Sequence, residues 1–250
     1  MSAATLDPDA GAARMRASGA QVTIGVPVFN GAAHLEECLS CLARQTHPSF
    51  LVAISDNAST DATAGIAAAW AGRDPRFIHV RQPENIGPAR NFLWLRDNAA
   101  SPYFMWRAYD DLSSDDYVAR LAAVLDRDPR LGLAVGRVEA RETRRGVERV
   151  RVTPYRAPTG SWRPLSIARG MRAAHQSWFY GLWRREAAIE VFDAVWAAYP
   201  HAWGSDHLTL DFLALEQRIG GDDAAVFVQR IIPGRGGGAM IGARALAALR

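Results

Sequence analysis

The strongest constraint on the fold is a repeated alternation of apolar and amphipathic segments in the first half of the chain. Short runs rich in β-branched and aromatic residues predict strands at Val22–Val28, Phe50–Ser55, Phe77–Arg81 and Tyr103–Tyr109. Between the first two, Ala32–Gln45 has apolar residues at helical spacing. Because strand and helix alternate four times, in units of roughly 25 to 30 residues, we expect a parallel sheet with right-handed crossovers.

Polar residues follow three of these strands. Asn30 follows the first, Asp56 the second, and Asp110 with Asp111 the fourth. Ligands of parallel sheets bind beyond the carboxyl ends of the strands, although Asp56 alone would be explained equally well as a cap or turn residue. Two adjacent carboxylates at a buried strand end need a cation, a ligand hydroxyl or water to offset their charge. The pattern predicts a ligand site, and a divalent ion shared with a substrate diphosphate would suit it.

After Asp111 the pattern becomes less regular. Ser113 or Ser114 is expected to cap a helix that carries Asp115 and Asp116 in its first turn, where the two acids serve a structural role. The remaining expectations are a strand at Leu131–Val138 that pairs with Val147–Val152 through a turn at Arg145-Gly146, a loop from Pro154 to Pro164, a short helix near Leu165–Ala174, an aromatic strand at Gln176–Trp183, helices at Glu186–Ala198 and Ser205–Arg218, a strand at Ala224–Ile232 and a short C-terminal helix.

Composition limits the classes of partner. With 49% hydrophobic and 22% charged residues, the 250-residue chain can bury one substantial core. The formal net charge is +3, and arginine is densest between Arg137 and Arg156. This weakly favours an anionic ligand or surface, but not nucleic acid, because no continuous basic tract with interleaved aromatic residues is present. Cys38 and Cys41 have no second Cys or His pair at zinc spacing, so we expect both to be buried and apolar.

The chain is expected to divide into four parts. Residues 1–20 lack the pattern of a signal peptide and are predicted to be a flexible tail. Residues 21–138 and residues 139–232 are expected to be two halves of one domain, followed by a Gly-rich linker and tail at 233–250. No apolar run approaches the roughly 18 residues of a membrane span, so a cytoplasmic location is expected.

Five motifs together carry a family resemblance. They are Val26-Pro-Val-Phe-Asn30, Ser55-Asp-Asn-Ala-Ser-Thr-Asp61, Asn85-Ile-Gly-Pro-Ala-Arg-Asn91, Tyr109-Asp-Asp111 and Gly204-Ser-Asp206. In this order they resemble the family 2 glycosyltransferases, whose catalytic domain has the GT-A fold. The resemblance extends from about Val22 to about Gly220, and it implies that residues 21–138 are the nucleotide-sugar-binding half and residues 139–232 the acceptor-binding half. It implies an α/β fold with a Rossmann-like, mostly parallel sheet flanked by helices and a smaller mixed region on the acceptor side.

The resemblance also implies roles for individual residues. A carboxylate at the position of Asp56 holds the base or ribose of the nucleotide, and Asp110 with Asp111 binds ribose and a manganese or magnesium ion. The motif reads Tyr-Asp-Asp rather than Asp-x-Asp, so whether Asp110 contacts the metal is open. Asp206 matches the catalytic base, with Ser205 in place of the family's Glu, and a simple helix cap is the alternative. The other residues on the nucleotide side are Pro27, Phe29, Asn30, Asn85 and Arg90, although a solvated helix position explains Arg90 equally well.

The expected reaction is transfer of a sugar from a UDP, GDP or dTDP donor to a sugar, lipid-linked or small-molecule acceptor. A divalent ion stabilises the departing nucleotide while a carboxylate removes the proton from the acceptor hydroxyl, as in a single displacement with inversion. The candidates for the acceptor side are His175, Trp178, Tyr180 and His207. Core packing explains Trp178 at least as well, and His207 is a weaker candidate for the metal shell.

Three other classes of protein fit the sequence less well. A sugar nucleotidyltransferase would have a Gly-rich phosphate loop after the first strand, and a nicotinamide-dependent dehydrogenase would have Gly-x-Gly-x-x-Gly there; Pro27-Val-Phe-Asn-Gly31 matches neither. A non-catalytic nucleotide-sugar-binding or scaffold protein would be expected to lack Asp111 or Asp206, and both are present. A lipid-linked acceptor would require peripheral membrane attachment, for which the segment from Arg137 to Arg156 and the C-terminal tail are candidates.

Overall fold

The computed structural model describes residues 5–156, 174–199 and 204–232. Within these residues the strands form one sheet in the order β3-β2-β1-β4-β8-β6-β9-β5, with β7 beside β6. The strands are β1 (Val22–Val28), β2 (Phe50–Asp56), β3 (Phe77–Arg81), β4 (Tyr103–Trp106), β5 (Leu112–Ser113), β6 (Leu133–Arg144), β7 (Val147–Thr153), β8 (Leu182–Arg184) and β9 (Ile219–Ile231). The helices are α1 (Pro8–Arg16), α2 (Ala32–Ala43), α3 (Thr63–Arg73), α4 (Pro88–Asn98), α5 (Tyr117–Arg127), α6 (Arg185–Ala198) and α7 (Ser205–Leu215).

The first half of the sheet is parallel, as the sequence predicts. β1 lies between β2 and β4, and β2 pairs with β3, all in parallel. Every residue of β1 and β2 is buried, which is the pattern of strands covered on both faces. This arrangement brings the carboxyl ends of β1, β2 and β4 to one edge, where Asn30, Asp56 and Asp110 follow.

The second half of the sheet is mixed, which confirms the expected mixed region. β8 is antiparallel to both β4 and β6, whereas β9 runs parallel to β6 and antiparallel to β5. β6 and β7 form the predicted hairpin through Arg145-Gly146, whose φ angles of 51° and 77° match the left-handed conformations of a tight two-residue turn. β6 extends to Arg144, well past the predicted end at Val138.

Trp106, at the end of β4, joins the two halves through an aromatic cluster. Its ring centroid lies 4.8 Å from those of Phe104 and Phe179, and 5.4 Å from that of Phe192. Trp106 is completely buried. The residues that follow it therefore start from a rigid position between the parallel and the mixed half.

The expected flexible tail is wrong for residues 5–20, because they contain α1. Asp7 caps this helix by accepting a hydrogen bond from Ala10 N at 2.8 Å, and Pro8 occupies the first turn. Gly11 packs so closely on β3 that an added Cβ would lie 2.4 Å from Val80 Cγ2. Asp7-Pro8 is a sequence signal for the start of a helix, but the high Ala and Gly content of residues 1–20 led to the prediction of a flexible tail.

Two predictions for local structure are also wrong. The aromatic segment Gln176–Tyr180 is a 3-10 helix, and only Leu182–Arg184 forms a strand. Ser113 lies in β5 rather than at a helix cap, and α5 begins at Tyr117 because β9 pairs with Leu112 and Ser113. The helices predicted near Leu165–Ala174 and at the C-terminus, and the linker 233–250, lie outside the described residues.

Other expectations agree with the structure. The helix predicted at Glu186–Ala198 is α6, and Cys38 and Cys41 are both buried with no disulfide. Among the residues that the structure describes, no helix combines the length and the apolar character needed to cross a membrane. The division into a nucleotide-binding and an acceptor-binding half stays a prediction.

Candidate active site

Asp111 is held in place by the last strand of the sheet. It directly precedes β5, whose Leu112 lies opposite Val228 of β9. The backbone N–H of Arg230 donates a hydrogen bond to Asp111 Oδ1 at 2.9 Å, while the guanidinium of Arg230 lies 2.7 Å from Glu37 Oε2. Asp111 is 5% exposed. Two strands that are remote in sequence therefore fix the position of this carboxylate.

The charge of Asp111 is poorly compensated within the protein. Burial, and then the negative charge of Asp110, raises the pKa of Asp111 to about 7. The hydrogen bond from Arg230 and the positive charge of Arg107 oppose this rise without cancelling it. A group with such a pKa gains from any added positive charge, which is the property expected of a cation-binding carboxylate.

Arg107 is a cation of the site that our sequence analysis missed. It is completely buried between two rings, with its guanidinium carbon 5.0 Å from the centroid of Phe227 and 5.5 Å from that of Tyr117. Nη2 donates a hydrogen bond to Ser113 Oγ at 3.1 Å, and Nε and Nη1 have no partner among the described residues. The sequence does contain a signal for Arg107, because it is the one cation in an aromatic run just before the two acids. The prediction of a uniformly apolar strand passed over it.

Asp206 is buried in the first turn of α7. Its Oδ1 accepts a hydrogen bond from His207 N at 2.9 Å, and Asp206 is 8% exposed. Burial raises the pKa of Asp206, although the hydrogen bond from His207 opposes the rise. Gly204 precedes the helix with φ at 81°, a left-handed conformation that suits glycine and sets the direction in which the helix begins.

Tyr180 connects Asp206 with the pair after β4. Burial raises the pKa of Tyr180 well above its ordinary value, and the negative charges of Asp111, Asp110 and Asp206 raise it further. The ring of Tyr180 stacks on Phe227 of β9, with the centroids 5.8 Å apart. Three carboxylates from two separate segments are thus close enough to act electrostatically on one phenol.

Asp56 is buried like Asp111 but is well compensated. Its oxygens accept hydrogen bonds from Ser59 N at 2.9 Å and from Arg81 Nη1, and His79 Nε2 lies 3.8 Å away. Burial alone would raise the pKa of Asp56, but the interactions with His79, Ser59 and Arg81 outweigh it and lower the pKa. In this state Asp56 orders the loop after β2, and its predicted contact with a nucleotide stays a prediction.

The loop after β1 is tied to the loop after β2 and also to the Asp-rich segment. Asn30, which has a left-handed φ of 50°, accepts a hydrogen bond from Thr60 N at 2.8 Å. Gly31 lies against Tyr109, because an added Cβ there would be 2.7 Å from Tyr109 Cδ2. Pro27 is buried in β1, and Phe29 is exposed at 42%, an unusual value for a large aromatic residue.

The segment that precedes α4 joins the same edge of the sheet. Asn85 Oδ1 accepts a hydrogen bond from Asn57 Nδ2 at 2.9 Å, and Asn57 Oδ1 accepts one from Ile86 N at 2.9 Å. Asn57 is another residue that sequence reasoning did not single out. Arg90 is exposed on α4 and enters no salt bridge within the described part of the chain, so its alternative as a solvated helix residue stays open.

The acceptor-side candidates separate into two groups. Trp178 is 6% exposed and donates from Nε1 to the carbonyl oxygen of Gly136 at 3.1 Å, which favours the core-packing alternative. His175 is half-buried, and burial, followed by the charges of Arg151 and His207, lowers its pKa. His207 is exposed beside Asp206. His175 and His207 therefore lie near Asp206, whereas Trp178 supports the core.

The carboxylate pair suits a divalent ion that is completed by a ligand. No group of three or more His, Cys, Asp or Glu side chains within the described ranges could by itself hold a metal ion. Magnesium is commonly bound through one or two carboxylates together with substrate phosphates. The buried, poorly compensated Asp111 and its neighbour Asp110 fit that type of site, and nothing in their surroundings favours a site closed by protein ligands alone.

Comparison with known proteins identifies the family. The sequence model described as glycosyl transferase family 2 matches residues 23–192, which is more than half of the chain. The chain belongs to glycosyl transferase family 2. The resemblance to the family is confirmed, and four of the five motifs quoted above lie within the matched residues, whereas Gly204-Ser-Asp206 lies beyond them.

Two named glycosyltransferases match part of the chain. The abequosyltransferase RfbV of Salmonella typhimurium is 32% identical over 108 residues, which cover 42% of this chain and 32% of that protein. An N-acetylglucosaminyltransferase of Rhizobium meliloti is 30% identical over 122 residues, covering 48% and 28%, respectively. The matched region is less than a third of either relative.

Solved structures confirm the GT-A fold. TarS of S. aureus in complex with UDP superposes with a TM-score of 0.57 at 17% identity, covering 85% of this chain and 61% of that one. The mannosyltransferase PcManGT of Pyrobaculum calidifontis, in complex with GDP-Man and Mn2+, superposes with a TM-score of 0.58 at 19% identity, covering 94% and 61%. At this identity the likeness establishes the fold alone.

Proposed function

We propose that this family 2 protein transfers a sugar from a nucleotide-diphosphate donor to an acceptor hydroxyl, with inversion at the sugar carbon. The observation that carries the proposal is that Asp110, Asp111 and Asp206 all lie within electrostatic range of Tyr180. Asp110 and Asp111 come from the carboxyl edge of the parallel half, and Asp206 comes from α7, which lies between β8 and β9 of the mixed half in the chain. Such a placement can bring a donor diphosphate and an acceptor hydroxyl together.

Asp111, with Asp110, is assigned to a manganese or magnesium ion. Such an ion would stabilise the negative charge that develops on the leaving nucleotide. The protein's own contribution is to hold Asp111 in position through Arg230 N, and to favour its ionised form through the positive charge of Arg107. The complexes of PcManGT with GDP-Man and Mn2+ and of TarS with UDP support a nucleotide-sugar donor and a divalent ion.

Asp206 is assigned as the general base. Its raised pKa makes the carboxylate a stronger proton acceptor than an exposed Asp. The hydrogen bond from His207 N holds one carboxylate oxygen and leaves the other for the acceptor hydroxyl. Since only one such base is assigned and no second nucleophile is identified, a single displacement follows.

The first experiment is calorimetric titration of UDP, GDP and dTDP into the protein, each with Mn2+ and with chelator. Metal-dependent binding of one nucleotide at micromolar concentration is expected. Asp115→Asn is the matched control for Asp111→Asn, because Asp115 is an exposed acid four residues away that pairs with Arg44. Absence of binding for all three nucleotides, with and without metal, would favour the non-catalytic scaffold alternative.

A further inference from the structure

The hairpin formed by β6 and β7 extends beyond the rest of the sheet. We call residues 139–153 the arginine ribbon. The pairing of β6 with β9 ends at Glu142, opposite Ile231, and within the described residues β7 pairs with β6 alone. Three valines of β7 are exposed: Val147 at 60%, Val150 at 48% and Val152 at 51%. The outer edge of β7 and both faces of the hairpin end are thus accessible.

The charge of the ribbon is positive where it is most exposed. Within β6, Arg141 pairs with Glu139 at 2.9 Å and Arg144 pairs with Glu142 at 2.7 Å, so these four charges balance. Three more arginines, all exposed, enter no salt bridge in the part of the chain that the structure describes: Arg145, Arg149 and Arg151. Glu148 is the one acid left in the ribbon to oppose them.

Apolar and cationic side chains alternate along β7. The register places Val147, Arg149 and Arg151 on one face of the hairpin, opposite Arg144, Glu142 and Ala140. Val150 and Val152 lie on the other face. Arg149 and Arg151 thus share the face of Val147, whereas the face of Val150 and Val152 carries Glu148 and the ion pair of Arg141 with Glu139. Both sets of side chains flank the outer edge of β7, where a purely solvated hairpin would carry polar residues in place of the valines.

A second copy of this chain is a poor partner for the edge of β7. Two copies could pair the outer edges of their β7 strands antiparallel to each other, related by a two-fold axis perpendicular to the sheet. Residues that lie opposite each other in such a pair are on the same face, so their residue numbers differ by an even number. The registers that pair five or more residues of β7 are centred on Arg149, Val150 or Arg151. In each of these registers, Arg149 or Arg151 of one copy lies directly opposite an arginine of the other copy. Like charges in that position are destabilising.

Nucleic acid also fits poorly. The ribbon contains no Phe, Tyr or Trp, and proteins that bind single strands without sequence preference stack bases on such rings. Exposed valines add nothing to contacts with phosphates. Exposed valines do strengthen binding to a membrane, because apolar side chains enter the boundary between lipid headgroups and acyl chains. Arginine interacts with anionic headgroups at the same boundary.

We propose that the arginine ribbon docks on an anionic phospholipid surface. Arg145, Arg149 and Arg151 supply the electrostatic attraction, and Val147, Val150 and Val152 enter the interface. Arg151 also lies within electrostatic reach of His175, so docking brings the acceptor side of the candidate site close to the lipid headgroups. A membrane-borne acceptor would then be presented to the same side of the protein.

The test measures sedimentation of the full chain with vesicles of equal parts phosphatidylglycerol and phosphatidylcholine, and with vesicles of phosphatidylcholine alone. Binding to the anionic vesicles only is expected, and it should weaken as salt is added. The combined variant Arg145→Gln, Arg149→Gln, Arg151→Gln should bind about 100-fold more weakly, because each arginine near an anionic surface contributes about a factor of five. Replacing all three valines by serine should weaken binding about tenfold, with the salt dependence unchanged.

The control is the variant Arg44→Gln, Arg73→Gln, Arg130→Gln, which removes the same net charge from exposed positions outside the ribbon. It should bind the anionic vesicles like the unmodified protein. Equal weakening in both triple variants would overturn the proposal, as would failure of the unmodified protein to bind. Tighter, ribbon-dependent binding to a mixed-sequence single-stranded oligonucleotide at the same salt would overturn the choice of lipid. Thermal unfolding at the same temperature in all variants is the expected sign that the fold is intact.

Discussion

Asp56 and Asp111 occupy similar places but have opposite electrostatics. Each is a buried acid near the carboxyl end of a parallel strand. The loop after β2 and its neighbouring strand supply Ser59, Arg81 and His79 to Asp56, and its pKa is lowered. Asp111 has a second acid as its sequence neighbour and a single backbone hydrogen bond from β9, and its pKa is raised to about 7.

The negative charge of Asp56 is compensated by groups of the protein, whereas that of Asp111 is compensated only in part and would gain from a bound cation. Asp56 stabilises the folded chain at neutral pH, because its interactions favour the charged form. Asp111 destabilises it there, because the buried charge is only partly offset. Asp206, buried with a raised pKa, belongs with Asp111 in this respect. Poorly compensated acids, rather than acids in general, mark the candidate site.

Asp206→Asn should have the largest effect on the reaction. A positioned general base typically contributes about 10²- to 10⁴-fold, so kcat should fall by about 10³ while nucleotide binding is unchanged. The measurement is steady-state transfer together with calorimetry on the same preparation. Asp211→Asn, on the same helix, is the matched control. Loss of nucleotide binding in Asp206→Asn would mean that this acid belongs to the donor site instead.

Asp111→Asn should remove the metal-dependent part of nucleotide binding and also change the response to pH. The folded pKa is about 7 and the ordinary value is 3.8, so in the unmodified protein the free energy of unfolding should decrease as pH rises through this window. A shift of about 3 units corresponds to about 4 kcal/mol over that range. Urea unfolding without metal at several pH values measures this slope, which should be smaller in Asp111→Asn than in the unmodified protein. An unchanged slope in the variant would contradict the assignment of the raised pKa to Asp111.

Asp56→Asn should destabilise the fold by about 2 kcal/mol at neutral pH, because it removes a buried carboxylate that accepts hydrogen bonds from Ser59 N and from the partly exposed Arg81. The sign of the pH dependence is opposite to that of Asp111. Since the folded pKa is lowered, the stability that Asp56 contributes is present above its ordinary pKa and is lost as pH falls through the folded value. Unfolding experiments on Asp56→Asn should therefore converge with the unmodified protein in acid. Asp74→Asn, which disrupts a more exposed pair with Arg76, should cost well under half as much.

Arg107→Met should give the smallest effect, and it tests the source of compensation at Asp111. Removal of the buried cation should raise the pKa of Asp111 further, so that Mn2+-dependent nucleotide binding requires a higher pH. A shift of the binding midpoint by about one pH unit is expected, measured by calorimetry across pH. Arg107→Lys, which keeps the charge, should restore most of the original midpoint. Equal weakening at every pH would indicate a packing role instead.

Much of the parallel half could be predicted from the sequence because its signals are local. Periodicity gave β1, β2 and β3 nearly to the residue, and the polar strand ends located the site edge. The hairpin at Arg145-Gly146 was equally accessible from its turn residues. In such segments, the residues that form an element also carry its pattern.

Other features depend on contacts between distant segments. Tyr180 lies in a 3-10 helix rather than a strand, because the aromatic residues around it pack as a cluster on Trp106 and Phe192 and not as an alternating surface. The role of Arg230 N depends on β9 reaching β5, which no local pattern indicates. Arg107 could have been noticed, but its burial between Phe227 and Tyr117 could not have been inferred.

The hydrogen bond between Arg230 N and Asp111 has a consequence for the order of biosynthesis. The two residues are 119 positions apart, and contacts of such long range form late in folding. A growing chain in which Arg230 has not yet been synthesised cannot form this hydrogen bond, so Asp111 lacks its anchor on β9 until nearly the whole described sheet has been synthesised.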